Sequence, residues 1–202
     1  MPAQLQGQDM NRFIMTLLAT VSLLQAECTV EMLTLPEVAW TAYKTPKKIG
    51  VDGGFLATVY HGKREEESLS ALLLKSQVQL EVNNVDTKDP FRDAKLVQFF
   101  FNMMQGAVID ADVRSIKGDE KSGSLVVNVS MNNKAIDVPL EYVVKDGVFR
   151  AKGVLNLLDF NAQEPLNMLT LNCYAPHEGK TWEDVAVGFS FKLGRHCSDE
   201  KK

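Results

Sequence analysis

The side chains best suited to chemistry are three histidines and a pair of aspartates, and their spacing argues against catalysis. His61, His177 and His196 do not stand at metal-ligand spacing from one another or from a carboxylate on a predicted helix. We expect His61 and His177 to be solvated loop residues. Asp110 and Asp112 fall on the outward face of a predicted strand, where carboxylates favour solubility. With no nucleophile motif or phosphate-binding glycine loop, the sequence predicts a protein that is not an enzyme and has no metal or catalytic cofactor.

An apolar segment near the N-terminus predicts export. Phe13–Leu24 is a charge-free run of twelve residues, shorter than the roughly 20 residues that span a bilayer but typical of a signal-peptide core. Met10 is the more natural initiator, and cleavage after Ala26 leaves residues 27–202 as one domain. Residues 1–26 are thus predicted to be a signal peptide, with an upstream extension before Met10. The alternative is a buried N-terminal helix. No other apolar run is long enough to span a membrane, so we expect a periplasmic protein without stable membrane insertion.

Export changes the interpretation of the three cysteines, Cys28, Cys173 and Cys197. In an oxidising compartment two of them are expected to pair, and the absence of a C-x-x-C motif argues against redox catalysis. If the first and last strands of a barrel are antiparallel neighbours, the geometry favours a Cys28–Cys197 disulfide. Pairing through Cys173 stays open, because sequence alone does not fix connectivity.

The charge pattern excludes one class of partner. The net charge is −4, and the lysines and arginines are scattered, without a basic block. Nucleic-acid binding depends on clustered positive charge, so no nucleic-acid partner is expected.

Apolar and polar residues alternate with period two over most of the chain, as in strands with one buried face. In the last such segment, Val185, Val187 and Phe189 share a face. Asn132-Asn133 and Asp146-Gly147 are typical of tight hairpins. The alternating segments are Val38–Ala42, Ile49–Ala57, Val78–Val82, Ile109–Val113, Leu125–Met131, Ile136–Val144, Phe149–Leu155 and Val185–Leu193. The pattern predicts an all-β dominated fold, an eight-stranded antiparallel β-barrel with short inserted α-helices.

Three segments have helical spacing instead. Glu66–Lys75 is the first. Asp89 and Pro90 read as the N-cap and first residue of a second helix through Met104. The third covers Gln163–Tyr174, after which Pro176 is expected to stop the helix.

An eight-stranded barrel can be filled by side chains or can hold one small ligand. Several inward positions are small, which favours a cavity: Ala42, Gly53, Ala57, Ala111, Ala151 and Gly153. Aromatic side chains of the helices could fill the same space, so periodicity leaves the two interpretations open.

A set of motifs resembles the YceI family of bacterial proteins. They are Val85–Leu96 followed by Phe99-Phe100-Phe101, Trp40 in the first strand, Gly50–Phe55, the Met131–Val138 hairpin, and Phe149–Gly153 leading to Asp159-Phe160. The resemblance spans Val38 to Leu193, and the ending with Cys173 and Gly179–Trp182 looks like the branch of epsilon-class proteobacteria. The chain departs from the family at Lys95, where a histidine is usual, and at Asn132 and Asn133.

The resemblance implies a lipocalin-like barrel that binds a hydrophobic lipid, such as a polyisoprenoid or a fatty amide, inside the barrel. The expected ligand-binding residues are Trp40, Phe55, Leu80, Phe99, Phe100, Met103, Met104, Leu125, Val127, Tyr142, Phe149 and Phe189. Arg92 is expected to brace the start of its helix through Asp93 or a carbonyl. The resulting hypothesis is a periplasmic lipid carrier that serves quinone biology or stress response. The alternatives are a packed protein-interaction module and an isoprenoid-modifying enzyme, and a homodimer through an outer sheet face is compatible with each.

Overall fold

The computed structural model describes residues 28–197, which form a twelve-stranded antiparallel sheet with a few short helices. The strands are β1 (Cys28–Met32), β2 (Glu37–Lys44), β3 (Ile49–Phe55), β4 (Val59–His61), β5 (Glu65–Glu66), β6 (Gln77–Glu81), β7 (Val85–Asp86), β8 (Val108–Gly118), β9 (Ser122–Met131), β10 (Lys134–Lys145), β11 (Val148–Asn156) and β12 (Thr181–Cys197). The α-helices are α1 (Leu69–Leu73), α2 (Pro90–Phe99), α3 (Gln163–Asn172) and α4 (Tyr174–His177), and 3₁₀ turns lie at Val82–Asn84, Phe101–Met103 and Leu157–Phe160. The predicted signal peptide lies outside the described residues.

The sheet is a curled half-barrel, and the prediction of eight strands in a closed barrel needs correction. Its strand order is β4-β6-β8-β9-β10-β11-β12-β2-β3-β7, with β1 paired to β12 and β5. All eight predicted strands are present. Of the additional strands, β4, β5 and β7 have two or three residues, too few for alternation to be recognised, and β1 has five. The two edges of the sheet approach each other because a single 3₁₀ turn joins β6, which is next to the strand at one edge, to β7, which forms the other edge.

Both predicted hairpins are confirmed. Asn132 and Asn133 have φ of 52° and 57° and connect β9 to β10, while Asp146 and Gly147 have φ of 54° and 68° and connect β10 to β11. Two consecutive residues with positive φ match the twist of the flanking strands, which fixes the register of the central strands.

One end of the half-barrel is filled by stacked aromatic rings from β10, β11 and β12, which we call the aromatic plug (Tyr142, Phe149, Phe189 and Phe191). The Phe149 ring centroid lies 4.8 Å from Phe191, 5.3 Å from Tyr142 and 5.4 Å from Phe189. The rings meet because Phe149 faces Phe191 in the β11–β12 register. Phe149 is completely buried, so the plug seals this end with hydrocarbon.

Helix α1 and strand β1 pack against the same end. Ser68 caps α1 by accepting a hydrogen bond from Ala71 N, and Leu69, Leu72 and Leu73 are fully buried. The helix is shorter than predicted, because Glu66 belongs to β5 and the chain becomes extended at Leu74. In β1, Cys28 lies opposite Cys197 of β12 and the two are joined by a disulfide.

The other end is covered by α2 and α3, which we call the helical cover. Asp89 caps α2 by accepting hydrogen bonds from Phe91 N and Arg92 N, which confirms the predicted start. The helix was predicted to reach Met104 but ends at Phe99, and a 3₁₀ turn follows at Phe101–Met103.

The third predicted helix is interrupted at Cys173, and Pro176 does not stop the chain from turning further. It lies in the single turn α4, and proline is tolerated in a first helical turn because no helical bond requires its missing N–H.

Truncation of the central ring of the aromatic plug is expected to destabilise the fold. Phe149→Ala should lower the free energy of unfolding by about 3–5 kcal/mol through lost burial and the resulting void. Chemical denaturation followed by circular dichroism measures this. The control Val154→Ala changes a side chain of the same sheet that is 59% exposed and should cost less than about 1 kcal/mol. Equal losses in the two variants would contradict the role of the plug.

Candidate functional site

A cavity of about 200 Å³ lies between the aromatic plug and the helical cover. Its wall comes from alternate residues of the strands, since every second side chain points to the concave face. Val127, Val129 and Met131 of β9 show this spacing, as do Val185, Val187 and Phe189 of β12. Val127 and Met131 are four residues apart, so the cavity extends for at least ~13 Å along the strands.

The wall is apolar. No charged side chain within residues 28–197 lines the cavity, and the polar residues in its wall include Tyr60, Ser76 and Thr181. Ser76 and Thr181 are already hydrogen-bonded: Ser76 Oγ donates to Leu73 O at 2.7 Å, and Thr181 Oγ1 accepts from Thr170 Oγ1 at 2.8 Å. An apolar cavity of 150 Å³ in another protein stays dry and binds benzene, so this larger space favours hydrocarbon over water.

The structure divides the twelve predicted ligand-binding residues into two groups. Those that line the cavity are Trp40, Phe55, Leu80, Phe100, Val127 and Phe189. The others, Phe99, Met103, Met104, Leu125, Tyr142 and Phe149, lie elsewhere among the described residues.

Three residues of the second group lie nearer the aromatic plug than the cavity does, because of their position along their strands. Leu125, Tyr142 and Phe149 do point to the concave side and are buried with the plug and α1. Alternation identifies the face of a strand but not the height along it, so these residues could not be separated from the lining by sequence.

The remaining three predicted residues, Phe99, Met103 and Met104, lie outside the cavity wall because α2 ends earlier than expected. Because the backbone changes to a 3₁₀ turn, Met103 is directed outward and is 41% exposed. Met104 is buried in the core of the cover, and Phe99 packs partly buried against it.

Two of the small inward residues accommodate large neighbours rather than empty space. A Cβ on Gly53 would lie 2.2 Å from the Trp40 ring, and a Cβ on Gly153 would lie 2.4 Å from Leu140 Cδ2. Ala42 and Ala111 do line the cavity, and Ala57 is exposed beyond the end of β3. Glycine at position 53 is therefore what allows the indole of Trp40 to lie flat against β3.

Several lining residues were not predicted, and most come from distant parts of the chain. Leu166 and Leu169 of α3, Leu96 of α2 and Trp182 at the start of β12 all contact the cavity. Helical spacing marked the apolar residues of α3, but only the tertiary fold shows that they cover the half-barrel. The two tryptophans of the chain, Trp40 and Trp182, both line the cavity.

A second space of about 240 Å³, here called the vestibule, adjoins the cavity under the helical cover. The two spaces share Trp40, Ala42, Leu96, Leu169 and Thr181. Unlike the cavity, the vestibule has charged side chains in its wall, Lys44, Asp89, Arg92 and Lys95, together with the titratable ring of His177. Its outer rim carries Phe91, which is 86% exposed.

His177 is half-buried in α4 and is not the solvated loop residue that the sequence suggested. Its Nδ1 lies 2.7 Å from Thr181 Oγ1. Burial, reinforced by the nearby charges of Lys44 and Lys95, lowers the pKa of His177 below its ordinary value of 6.5. The imidazole is therefore mainly neutral at neutral pH.

The first turn of α2 is held in place by hydrogen bonds to Thr87, which precedes the helix and is buried. Arg92 Nε donates to Thr87 Oγ1 at 2.8 Å and Arg92 Nη2 donates to Thr87 O at 2.7 Å, while Asp93 Oδ1 accepts from Thr87 N at 2.9 Å. The expectation that Arg92 braces this helix through a carbonyl is confirmed. The bracing fixes the N-terminal end of α2, although no residue of this helix is fully buried.

The remaining polar groups that attracted attention in the sequence lie on the surface. Asp110 Oδ1 accepts a hydrogen bond from Gln79 Nε2 at 2.8 Å, and Asp112 forms an ion pair with Arg114 at 2.8 Å. His61 is exposed at the end of β4. Within residues 28–197 no group of three or more histidine, cysteine, aspartate or glutamate side chains could hold a metal ion. No helix in that range combines the length and the hydropathy needed to cross a membrane.

Comparison with known proteins identifies the fold. No protein-family model matches the chain, and no curated protein matches it either. Among solved structures, a polyisoprenoid-binding domain from Saccharophagus degradans implicated in plant cell wall breakdown aligns with a TM-score of 0.55 and 12% identity, over 86% of this chain and 100% of that domain. BcnA from Burkholderia cenocepacia aligns with a TM-score of 0.55 and 11% identity, over 79% of this chain and 96% of BcnA.

A YceI protein from Campylobacter jejuni aligns with a TM-score of 0.52 and 18% identity, over 74% of this chain and 86% of that protein. The chain therefore has the fold of the YceI proteins, as the sequence resemblance implied, with a twelve-stranded half-barrel in place of the predicted eight-stranded closed barrel.

The lowered pKa of His177 predicts a pH dependence of stability. A histidine whose pKa is lower in the folded state binds fewer protons than it does unfolded, so the unfolded state gains as the pH falls. The free energy of unfolding should thus decrease as the pH falls below about 6.5 and should level off below the folded pKa. His177→Gln should flatten this part of the profile, whereas His61→Gln should leave it intact. Urea denaturation between pH 7.5 and pH 5 checks both; an unchanged slope in His177→Gln would contradict this assignment.

Proposed function

We propose that this chain is a member of the YceI family that binds and carries a long amphiphilic lipid, a polyisoprenoid or a fatty amide, with its hydrocarbon tail in the cavity. The observation that carries the proposal is the cavity itself, closed by the aromatic plug, covered by helices and lined without charge. The polyisoprenoid-binding domain from Saccharophagus degradans, which shares the fold, supports the same class of ligand.

The volumes fit a tail and a head group. Together the cavity and the vestibule fall within the roughly 300–1,000 Å³ of ordinary small-molecule sites. Each methylene transferred from water to the cavity contributes about 0.8 kcal/mol, so the affinity is set mainly by how much of the tail is enclosed. We assign the lining residues Trp40, Phe55, Leu80, Phe100, Val127 and Phe189 to contact with the tail.

The tail enters from the vestibule side. The aromatic plug and α1 fill the opposite end with fully buried side chains, while α2 has no fully buried residue and packs through the partly buried Leu96, Val97 and Phe99. Elements with few buried contacts open at the lowest cost in free energy, so α2 is the part of the cover that moves aside.

Binding accounts for the site better than the two alternatives do. A packed interaction module has no need of a lined cavity between two closed ends. An isoprenoid-modifying enzyme would need an acid, a base or a nucleophile beside the tail, and no histidine or carboxylate of the described residues lines the cavity.

We place the protein in the periplasm on the strength of its N-terminal apolar segment. The surface-exposed ends of β1 and β12 carry the Cys28–Cys197 disulfide, which fits an oxidising compartment. Fractionation of cells that express the full chain tests this: recovery in the periplasmic fraction with the leader removed supports it, and recovery in the cytoplasm contradicts it. A homodimer and a role in stress stay predictions from the sequence.

Filling the cavity is the direct test of lipid binding. Trp40 and Trp182 line the cavity, so their fluorescence should change as alcohols of increasing chain length are titrated. Affinity should rise by about fourfold for each added methylene, the equivalent of 0.8 kcal/mol, until the cavity is full. Ala111→Phe adds a ring to the wall and should shift this maximum to a shorter chain.

The matched control introduces a phenylalanine ring on the outer face of the sheet instead of in the cavity wall. Val143 on β10 is 51% exposed, so Val143→Phe should keep the chain-length profile of the wild-type protein. Identical profiles for Ala111→Phe and the wild type, or no binding of any alcohol, would refute the carrier proposal.

A further inference from the structure

The vestibule collects positive charge where the cavity opens. Lys44 of β2 and Arg92 and Lys95 of α2 share its wall with one carboxylate, Asp89, and with the mainly neutral imidazole of His177. That carboxylate is occupied, because Asp89 Oδ1 accepts the N–H groups of Phe91 and Arg92 at 3.1 and 3.2 Å as the cap of α2.

Lys44 and Lys95 have no acidic partner among the described residues, which sets them apart from other lysines near the cavity. Lys48 pairs with Asp184 at 2.6 Å and Lys180 pairs with Glu183 at 3.5 Å, both beside Trp182. Neither Lys44 nor Lys95 takes part in an ion pair or a side-chain hydrogen bond within residues 28–197.

Of the two lysines, Lys95 is exposed and Lys44 is the less accessible. Its side chain is partly buried, and the charges of Lys44 and Lys95 both act on the same half-buried imidazole of His177. An anion in this space therefore meets two positive charges that have no acidic partner among the described residues, and charge-assisted hydrogen bonds to an anion are the strong ones.

We propose that the vestibule binds the anionic head group of the lipid, a carboxylate or a phosphate, through Lys44 and Lys95. This inference rests on the proposed function and narrows it from a neutral amphiphile to a charged one. The tail lies in the uncharged cavity, and the head lies in the vestibule beside Lys44, which is two residues beyond the shared residue Ala42 on β2. Because Lys95 is exposed and an exposed ion pair contributes little, the two lysines together are expected to strengthen binding of the anion by about tenfold.

Ligands with one tail and different heads test the proposal. Hexadecanol, palmitate and hexadecyl phosphate, below their critical micelle concentrations, are titrated into the protein with tryptophan fluorescence as the readout. At least one anion should bind about tenfold more tightly than the alcohol, and the tighter of the two identifies the head-group class. Added salt should weaken binding of the anion and not of hexadecanol.

The variant Lys44→Gln/Lys95→Gln should lose the preference for the anion while it binds hexadecanol as tightly as the wild-type protein, which also shows that the variant is folded. Lys152→Gln is the matched control, because Lys152 is exposed on the convex face of β11 and should leave the preference intact.

A residue-specific readout is available at His177. Its neighbours in the vestibule wall that carry or can acquire charge are Lys44 and Tyr43 from β2, Asp89, Arg92 and Lys95 from α2 and its start, and Cys173. An anion among them should raise the pKa of His177, measured from its imidazole resonances by NMR, whereas hexadecanol should not. A pKa of His177 that does not change with the anion would contradict the proposed position of the head group.

The outcomes separate the two proposals. If hexadecanol binds as tightly as both anions, or if the double variant keeps the preference, the anionic head group is refuted while the carrier function stands. If neither the alcohol nor the anions bind, the carrier function itself is refuted.

Discussion

The half-barrel has one apolar face, and the rest of the structure depends on keeping that face out of water. Backbone pairing between β8, β9, β10, β11 and β12 builds a sheet whose concave side carries mostly apolar side chains. Curling brings the sides of the sheet together but leaves both ends open, so each end needs a cover of its own. The aromatic plug with α1 closes one end, and α2 with α3 closes the other. Because the two covers form separate cores, the space between them stays unfilled.

In this account, stability depends on the aromatic plug at one end of the half-barrel, and ligand entry depends on the helical cover at the other. The plug consists of rings within 4.8–5.4 Å of Phe149, and it is anchored to strands that are paired on both sides. The helical cover has its own buried residues in α3, while α2 has none that are fully buried. This difference is the reason we propose that a ligand enters beside α2 and leaves the sheet undisturbed. The charged vestibule lies on that same side, where we propose that the head group binds.

Features that depend on neighbouring residues, such as strands and turns, could be predicted from the sequence. The arrangement of side chains from distant strands could not. Alternation identified the eight long strands, and the Asn132-Asn133 and Asp146-Gly147 pairs identified two turns, because these features depend on neighbouring residues. The height of Tyr142 and Phe149 in the half-barrel depends on register across three strands, so a side chain known to point inward could not be assigned to cavity or plug. Two-residue strands such as Glu65–Glu66 carry no pattern. The vestibule unites Lys44, Lys95 and His177, and of these only Lys95, a departure from the family, gave any signal.

The central claim is that the space between the aromatic plug and the helical cover encloses the tail of a lipid. A crystal structure of the protein isolated from the periplasm of its expressing cells, without added ligand, tests it most directly. The account predicts elongated electron density inside the half-barrel, in contact with Trp40, Val127 and Phe189, that continues toward Lys44 and Lys95. A cavity closed by movement of Leu96 and Phe100 into it, with lipid absent or bound only on the outer face of the sheet, would contradict the account.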